Sequence, residues 1–85
     1  MNDKKVTELV AAAVGQRFDE WARRHPSLAA VIDRISLTER TVQSLRDSAE
    51  YRDAVAAYHQ DMNELAFLAQ IADLAGPILH AILGL

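Results

Sequence analysis

The chain has 85 residues, which suffices for one domain, but a domain of that size buries only ~60–65% of its unfolded surface and is marginally stable alone. It lacks cysteine, which excludes disulfides and thiolate metal sites and fits a reducing, cytoplasmic setting. Apolar residues make up 51% of the chain and the net charge is −3, so self-association is a more natural expectation than binding to polyanions.

The first predicted helix runs from about Lys4 to Arg24. Its apolar residues recur at steps of three and four, which places them along one side of the helix. Pro26 disfavours helical backbone at His25 and should end the element there. The predicted buried stripe consists of Val6, Val10, Ala13, Val14, Phe18 and Trp21.

Two short helices are predicted next. The first covers about residues 27–34. Ser36, with Glu39 three residues later, forms a capping-box pattern, which predicts another helix over about 37–46. The apolar faces of these two helices consist of Leu28, Val31, Ile32, Ile35, Leu37, Val42 and Leu45.

A long helix is predicted over about residues 48–75, because Asp47 and Glu50 repeat the capping pattern. The pair Gly76-Pro77 should end it, since Gly suits a C-terminal cap and Pro suits the first turn of a following helix. A short fifth helix is therefore expected over about 77–83.

These elements predict an all-α fold of four to five helices in a single domain. Residues 1–46 would form a compact helical head. Residues 47–85 would form assembly helices, in which the long helix and the short C-terminal helix make an oligomer interface.

The charge follows a similar division, because all nine Lys and Arg lie at or before Arg52 and residues 53–85 carry four acids and no base. Such asymmetry indicates two tasks on one chain.

The predicted assembly half carries two apolar rows. One row steps by four and three from Tyr51 through Leu65 to Ala72, like the core seam of a coiled coil. A second row runs beside it, and a helix that is apolar on two sides must be covered on both. The second row is therefore expected to contact another subunit, unless the whole segment forms the core of a monomer. The residues predicted for this oligomer interface are Phe67, Ile71, Leu74, Ile78, Ile82 and Leu83.

The same segment is long enough to span a membrane, which takes ~20 apolar residues. Asp73 near its centre would cost ~3 kcal/mol there, and the Gly76-Pro77 pair should break the helix. No basic residues flank the segment to contact anionic lipid. Membrane insertion is therefore disfavoured.

Residues 28–46 read LAAVIDRISLTERTVQSLR, two short helices around a tight turn, and this pattern resembles a helix-turn-helix. The continuation at 46–55 reads RDSAEYRDAV. Over about residues 27–60 the chain resembles phage terminase small subunits, in which a recognition helix is followed by a short acidic turn, an aromatic residue and a long helix. The resemblance implies a protein that recognises DNA and assembles into rings.

The outward residues of the predicted recognition helix would carry the DNA contacts. Arg40 and Gln43 suit base edges, whereas Thr38, Thr41 and Arg46 suit phosphates. The alternative is that this side of the helix is only the solvated face of a bundle. The residues that the resemblance assigns to DNA are Thr38, Arg40, Thr41, Gln43, Ser44 and Arg46.

The sequence contains no recognisable catalytic set. It has no glycine-rich phosphate loop, and His25, His59 and His80 lie too far apart for metal-ligand spacing. We therefore expect a non-enzymatic, self-associating helical binding protein without cofactor or metal, with DNA recognition as its leading specific function. The alternative is a homo-oligomeric structural or adaptor bundle that binds a protein partner and no nucleic acid.

Overall fold

The computed structural model of the protein describes residues 3–60 and 63–83. These residues form five helices and no strand, which confirms the predicted all-α fold of four to five helices. The helices are α1 (Asp3–Arg24), α2 (Pro26–Ala29), α3 (Arg34–Arg46), α4 (Ala49–His59) and α5 (Glu64–Leu83).

Helix α1 closely matches the prediction. It ends at Arg24, and Pro26 occupies the first turn of α2, where its missing N–H costs no helical hydrogen bond. All six residues of the predicted apolar stripe are buried. The spacing of apolar residues along α1 therefore identified the side of the helix that faces the core.

Helix α3 begins earlier than the capping-box pattern predicted. The Asp33 carboxylate caps it by accepting hydrogen bonds from the Ile35 N–H at 3.0 Å and from the Ser36 hydroxyl at 2.7 Å. The predicted start at Ser36 is therefore wrong. The predicted helix over 27–34 also shortens to the single turn of α2, because Asp33 has extended backbone angles.

The predicted long helix over 48–75 is wrong, because two helices occupy that stretch. Ser48 caps α4, which ends at His59. Asn63 then caps α5, since its side-chain oxygen accepts a hydrogen bond from the Ala66 N–H at 2.8 Å. Asn63 lies between the apolar patterns of α4 and α5, and it is the sequence signal that a second helix starts there.

The Gly76-Pro77 pair does not end a helix, which corrects the predicted separate helix over 77–83. Helix α5 continues through both residues. A proline inside a helix removes one backbone hydrogen bond and costs ~3 kcal/mol. Ala75 and Leu79 are buried on either side of it, and their packing offsets that cost.

Replacement of this proline should stabilise the fold. Pro77→Ala restores a backbone donor at an exposed helical position, so we expect the free energy of unfolding to rise by about 1–3 kcal/mol. Pro26→Ala is the matched control, because proline is favourable in the first turn of α2 and its loss should change stability by less than about 0.5 kcal/mol. Urea unfolding measures both variants. Equal effects at the two positions would contradict a continuous α5.

Helix α5 is central to the packing. It contacts α1, α3 and α4, and α1 also packs against α3. The larger core cluster takes residues from α1, α3, α4 and α5, and the smaller one consists of Phe18, Trp21, Leu37 and Leu79. The predicted head and the predicted assembly half therefore contribute to the same clusters.

The two apolar rows are exchanged at the start of α5 relative to the prediction, whereas Tyr58 of the predicted inner row is buried in α4. Phe67 and Ile71, predicted for the oligomer interface, are completely buried in the larger core cluster. Leu65, predicted for the inner row, is 81% exposed. The exchange arises because α4 ends at His59, so the orientation of α5 is set independently. Phe67 and Ile71 are thus unavailable to a second subunit in this fold.

Candidate binding surfaces

Three large apolar side chains are exposed where the chain passes from α2 into α3. Leu28, Val31 and Ile35 are 47%, 80% and 67% exposed. Backbone hydrogen bonds hold the turn, since the Val31 N–H donates to the Leu28 carbonyl at 3.2 Å and the Ile32 N–H donates to the Ala29 carbonyl at 3.3 Å. Their helical spacing predicted an inward face, but α2 is one turn long and buries no residue.

A cavity of about 420 Å³ opens beside the same turn, between the start of α3 and the end of α5. Ile32 and Leu37 line it on one side, and Ile82 and Leu83 line it on the other. Ile82 and Leu83, both predicted for the oligomer interface, are half-buried at this position. We name as the apolar end surface the residues Leu28, Val31, Ile32, Ile35, Ile82 and Leu83.

An ion pair lies next to the apolar end surface in the first turn of α3. Arg34 Nε donates to Asp19 Oδ1 at 2.8 Å, and Arg34 Nη2 donates to Oδ2 at 3.1 Å. These hydrogen bonds lower the pKa of Asp19 and raise the pKa of Arg34. Gly15 permits the close approach, because a Cβ there would lie 2.5 Å from Arg34 Nη2. The pair joins the start of α3 to α1.

Acidification should weaken the start of α3. Hydrogen bonds from the Ser36 hydroxyl and the Ile35 N–H hold the pKa of Asp33 below its usual range. A carboxylate with a lowered folded-state pKa stabilises the fold fully above its unfolded pKa of about 3.9, and this stabilisation is lost as pH falls through the folded value. The melting temperature should therefore fall steeply below about pH 4 in the wild type. Asp33→Asn still caps the helix without titrating and should fall less steeply. If the melting temperatures of the wild type and Asp33→Asn fell equally with decreasing pH, this role of the Asp33 carboxylate would be contradicted.

Four of the six residues predicted to contact DNA lie on the solvent side of α3: Arg40, Gln43, Ser44 and Arg46 are exposed. Thr41 is completely buried, and its hydroxyl donates to the Leu37 carbonyl at 2.8 Å, so it does not reach DNA in this fold. The reason is helical geometry, since a residue four positions after buried Leu37 lies on the same side of the helix.

Thr38, the sixth residue predicted to contact DNA, is half-buried, and its hydroxyl oxygen is shielded from solvent. It lies directly after Leu37, at the edge of the side of α3 that faces the core. In this fold its hydroxyl is therefore not accessible to a phosphate.

The charges on the exposed side of α3 are balanced. Arg40 and Arg46 are cationic, and the exposed acids Glu39 and Asp47 lie beside them in the sequence. Affinity for DNA comes largely from cations that neutralise phosphates and release counterions. This side of α3 thus offers side chains that suit base edges but little net attraction to the DNA backbone.

The two helices predicted as a helix-turn-helix differ in length. Helix α2 is a single turn, and α3, with 13 residues, packs mainly against α1 and α5.

No known family model, curated protein or solved structure matches the chain. The resemblance to phage terminase small subunits therefore stays a prediction.

Among the residues that the structure describes, α5 is the one helix long and apolar enough to cross a membrane, judged by length and composition alone. Its mean hydropathy reaches 1.6 over an 18-residue window. The core helix of a soluble protein passes the same test. In this fold the core side of α5 consists of Phe67, Ile71, Ala75 and Leu79.

Proposed function

We propose that the protein is a non-enzymatic helical binding protein that associates with a second copy of itself through the apolar end surface. The exposure of Leu28, Val31 and Ile35 is the observation that carries this proposal. Removing apolar surface from water is worth ~25 cal/mol per Å², and contiguous exposed apolar surface marks interaction sites. Three such side chains lie within eight residues of one short segment, which makes this segment the candidate contact with a second copy.

A second copy is a suitable cover for two reasons. A chain of 85 residues buries only ~60–65% of the surface of its unfolded chain, less than a larger domain does, so a subunit contact adds apolar burial. A two-fold interface also requires only one patch, which contacts its own copy. Ile82 and Leu83 border the cavity beside this patch and extend it onto α5.

Native mass measured by light scattering over a range of protein concentrations tests the proposal. We expect a mass at least twice the 9.4 kDa of one chain, falling toward that value on dilution. A mass of one chain at the highest concentration would contradict self-association. It would then favour an adaptor whose apolar end surface binds a different protein.

DNA binding through α3 is the second candidate function. It is favoured by the joint exposure of Arg40, Gln43, Ser44 and Arg46 on one helix. Arg and Gln make paired hydrogen bonds to base edges, and a dimer would present two such helices to DNA. We rank it second because Glu39 and Asp47 cancel the charge of the two arginines.

The DNA candidate predicts that two variants weaken binding without unfolding the chain. Arg40→Ala and Gln43→Ala should each cost about 1–3 kcal/mol in binding free energy, measured by gel retardation at low salt. Arg52→Ala, which removes the same charge from an exposed position on α4, is the matched control and should have a smaller effect. If the wild-type protein retains no DNA at low salt, the candidate is excluded.

A further inference from the structure

A second cavity of about 260 Å³ lies between the turn joining α3 to α4 and the middle of α5. Most of its lining is apolar, and it shares no residue with the cavity beside the apolar end surface. We name this cavity the acidic groove, lined by Leu45, Ser48, Glu50, Asp73, Leu74, Pro77 and Ile78.

Two carboxylates line the acidic groove, and none of the described residues that line it is a Lys or Arg. Glu50 and Asp73 are exposed, and neither belongs to the three ion pairs found in the described part of the chain. Glu50 has a local role, because an acid in the first turn stabilises α4.

Asp73 has no such local role. Its helical neighbours four residues away are Ala69 and Pro77, neither of which is basic. Asp73 therefore presents an exposed carboxylate beside an apolar cavity, with no ion-pair partner among the described residues.

We propose that the acidic groove docks a cationic amphipathic segment of a partner protein. An apolar side chain of that segment fills the cavity against Leu74 and Ile78, and a Lys or Arg one helical turn away pairs with Asp73 and Glu50. Charge complementarity supports this occupant, because the residues that line the groove include two carboxylates and no Lys or Arg. The site is separate from the surface used for self-association.

The test uses the full chain and a labelled helical peptide composed of Leu, Ala and Lys, with fluorescence anisotropy as the readout. Asp73→Asn and Glu50→Gln should each weaken binding about three- to fivefold, and binding should decline with salt. Glu39→Gln is the matched control, because it removes the same charge from an exposed position on α3 that does not line the groove and should leave affinity nearly unchanged. A peptide with Glu in place of Lys should not bind.

Three results would overturn the proposal. The first is no binding of the lysine peptide at low salt, and the second is an equal loss of affinity in Glu39→Gln and Glu50→Gln. The third is a fall in native mass when the peptide is added, because the groove would then be occupied by a second copy of the chain. Methyl NMR shifts confined to Leu74, Ile78 and Leu45 would support the placement.

Discussion

Phe67→Ala is expected to remove about 3–5 kcal/mol from the free energy of unfolding. Phe67 is completely buried in the larger core cluster, and its ring centroid lies 4.6 Å from that of Tyr58. The substitution would therefore leave a large cavity where α4 meets α5. A domain of 85 residues has a total stability of about 4–13 kcal/mol, so this one substitution should remove roughly a quarter of that stability or more. Urea unfolding followed by circular dichroism measures the change.

The matched control for this substitution is Leu65→Ala, two residues earlier on the same helix. Leu65 is 81% exposed, so its removal should change stability by less than about 0.5 kcal/mol. If Phe67→Ala instead left unfolding unchanged and lowered the native mass, the assignment of Phe67 to an oligomer interface would be correct and the core described above would be wrong.

Ile35→Glu is expected to weaken self-association about a hundredfold, or ~2.7 kcal/mol, because it would bury an unpaired carboxylate in the interface. The fold of the subunit should survive. Ile35 is 67% exposed and lies in the first turn of α3, where a negative charge is favourable. Val31→Glu, at the most exposed of the three side chains, should act in the same way. Sedimentation velocity at several concentrations measures the dissociation constant.

Leu65→Glu is a closely matched control for Ile35→Glu. Leu65 is the second residue of α5, as Ile35 is the second residue of α3, and both helices begin after a side-chain cap. It lies about 25 Å along α5 from Ile82, so its charge should not affect the apolar end surface. Equal dissociation by both variants would show that any exposed apolar residue supports association, which contradicts a defined interface.

Local patterns predicted the parts of the fold that depend on one helix at a time. The apolar stripe of α1 is confirmed in full, and Leu37, Val42 and Leu45 of α3 are buried as expected. These residues follow the helical period within an uninterrupted helix. Their neighbours three and four residues away therefore lie on the same side, and the sequence alone determines which side is apolar.

The sequence could not predict the parts that depend on where a helix starts or on tertiary packing. Asn63 starts a new helix, so the helical spacing of apolar residues does not continue from α4 into α5. Leu65 is therefore exposed and Phe67 is buried, contrary to the prediction. Pro77 was expected to break a helix that packing keeps intact.

The same two limits, helix starts and tertiary packing, affected the prediction of the candidate sites. The spacing of Leu28, Val31 and Ile35 is helical, but Asp33 ends the turn before a helix forms, so the predicted inner face became an exposed surface. The helix-turn-helix resemblance places Thr41 among the outward residues of α3, although its position one turn after Leu37 places it in the core.

The most direct test of self-association through the apolar end surface is NMR spectroscopy of the labelled protein during dilution. The proposal predicts that the backbone and methyl signals of Leu28, Val31 and Ile35 shift with concentration, whereas those of Leu65 do not. Shifts located elsewhere, or no change over the whole concentration range, would contradict it.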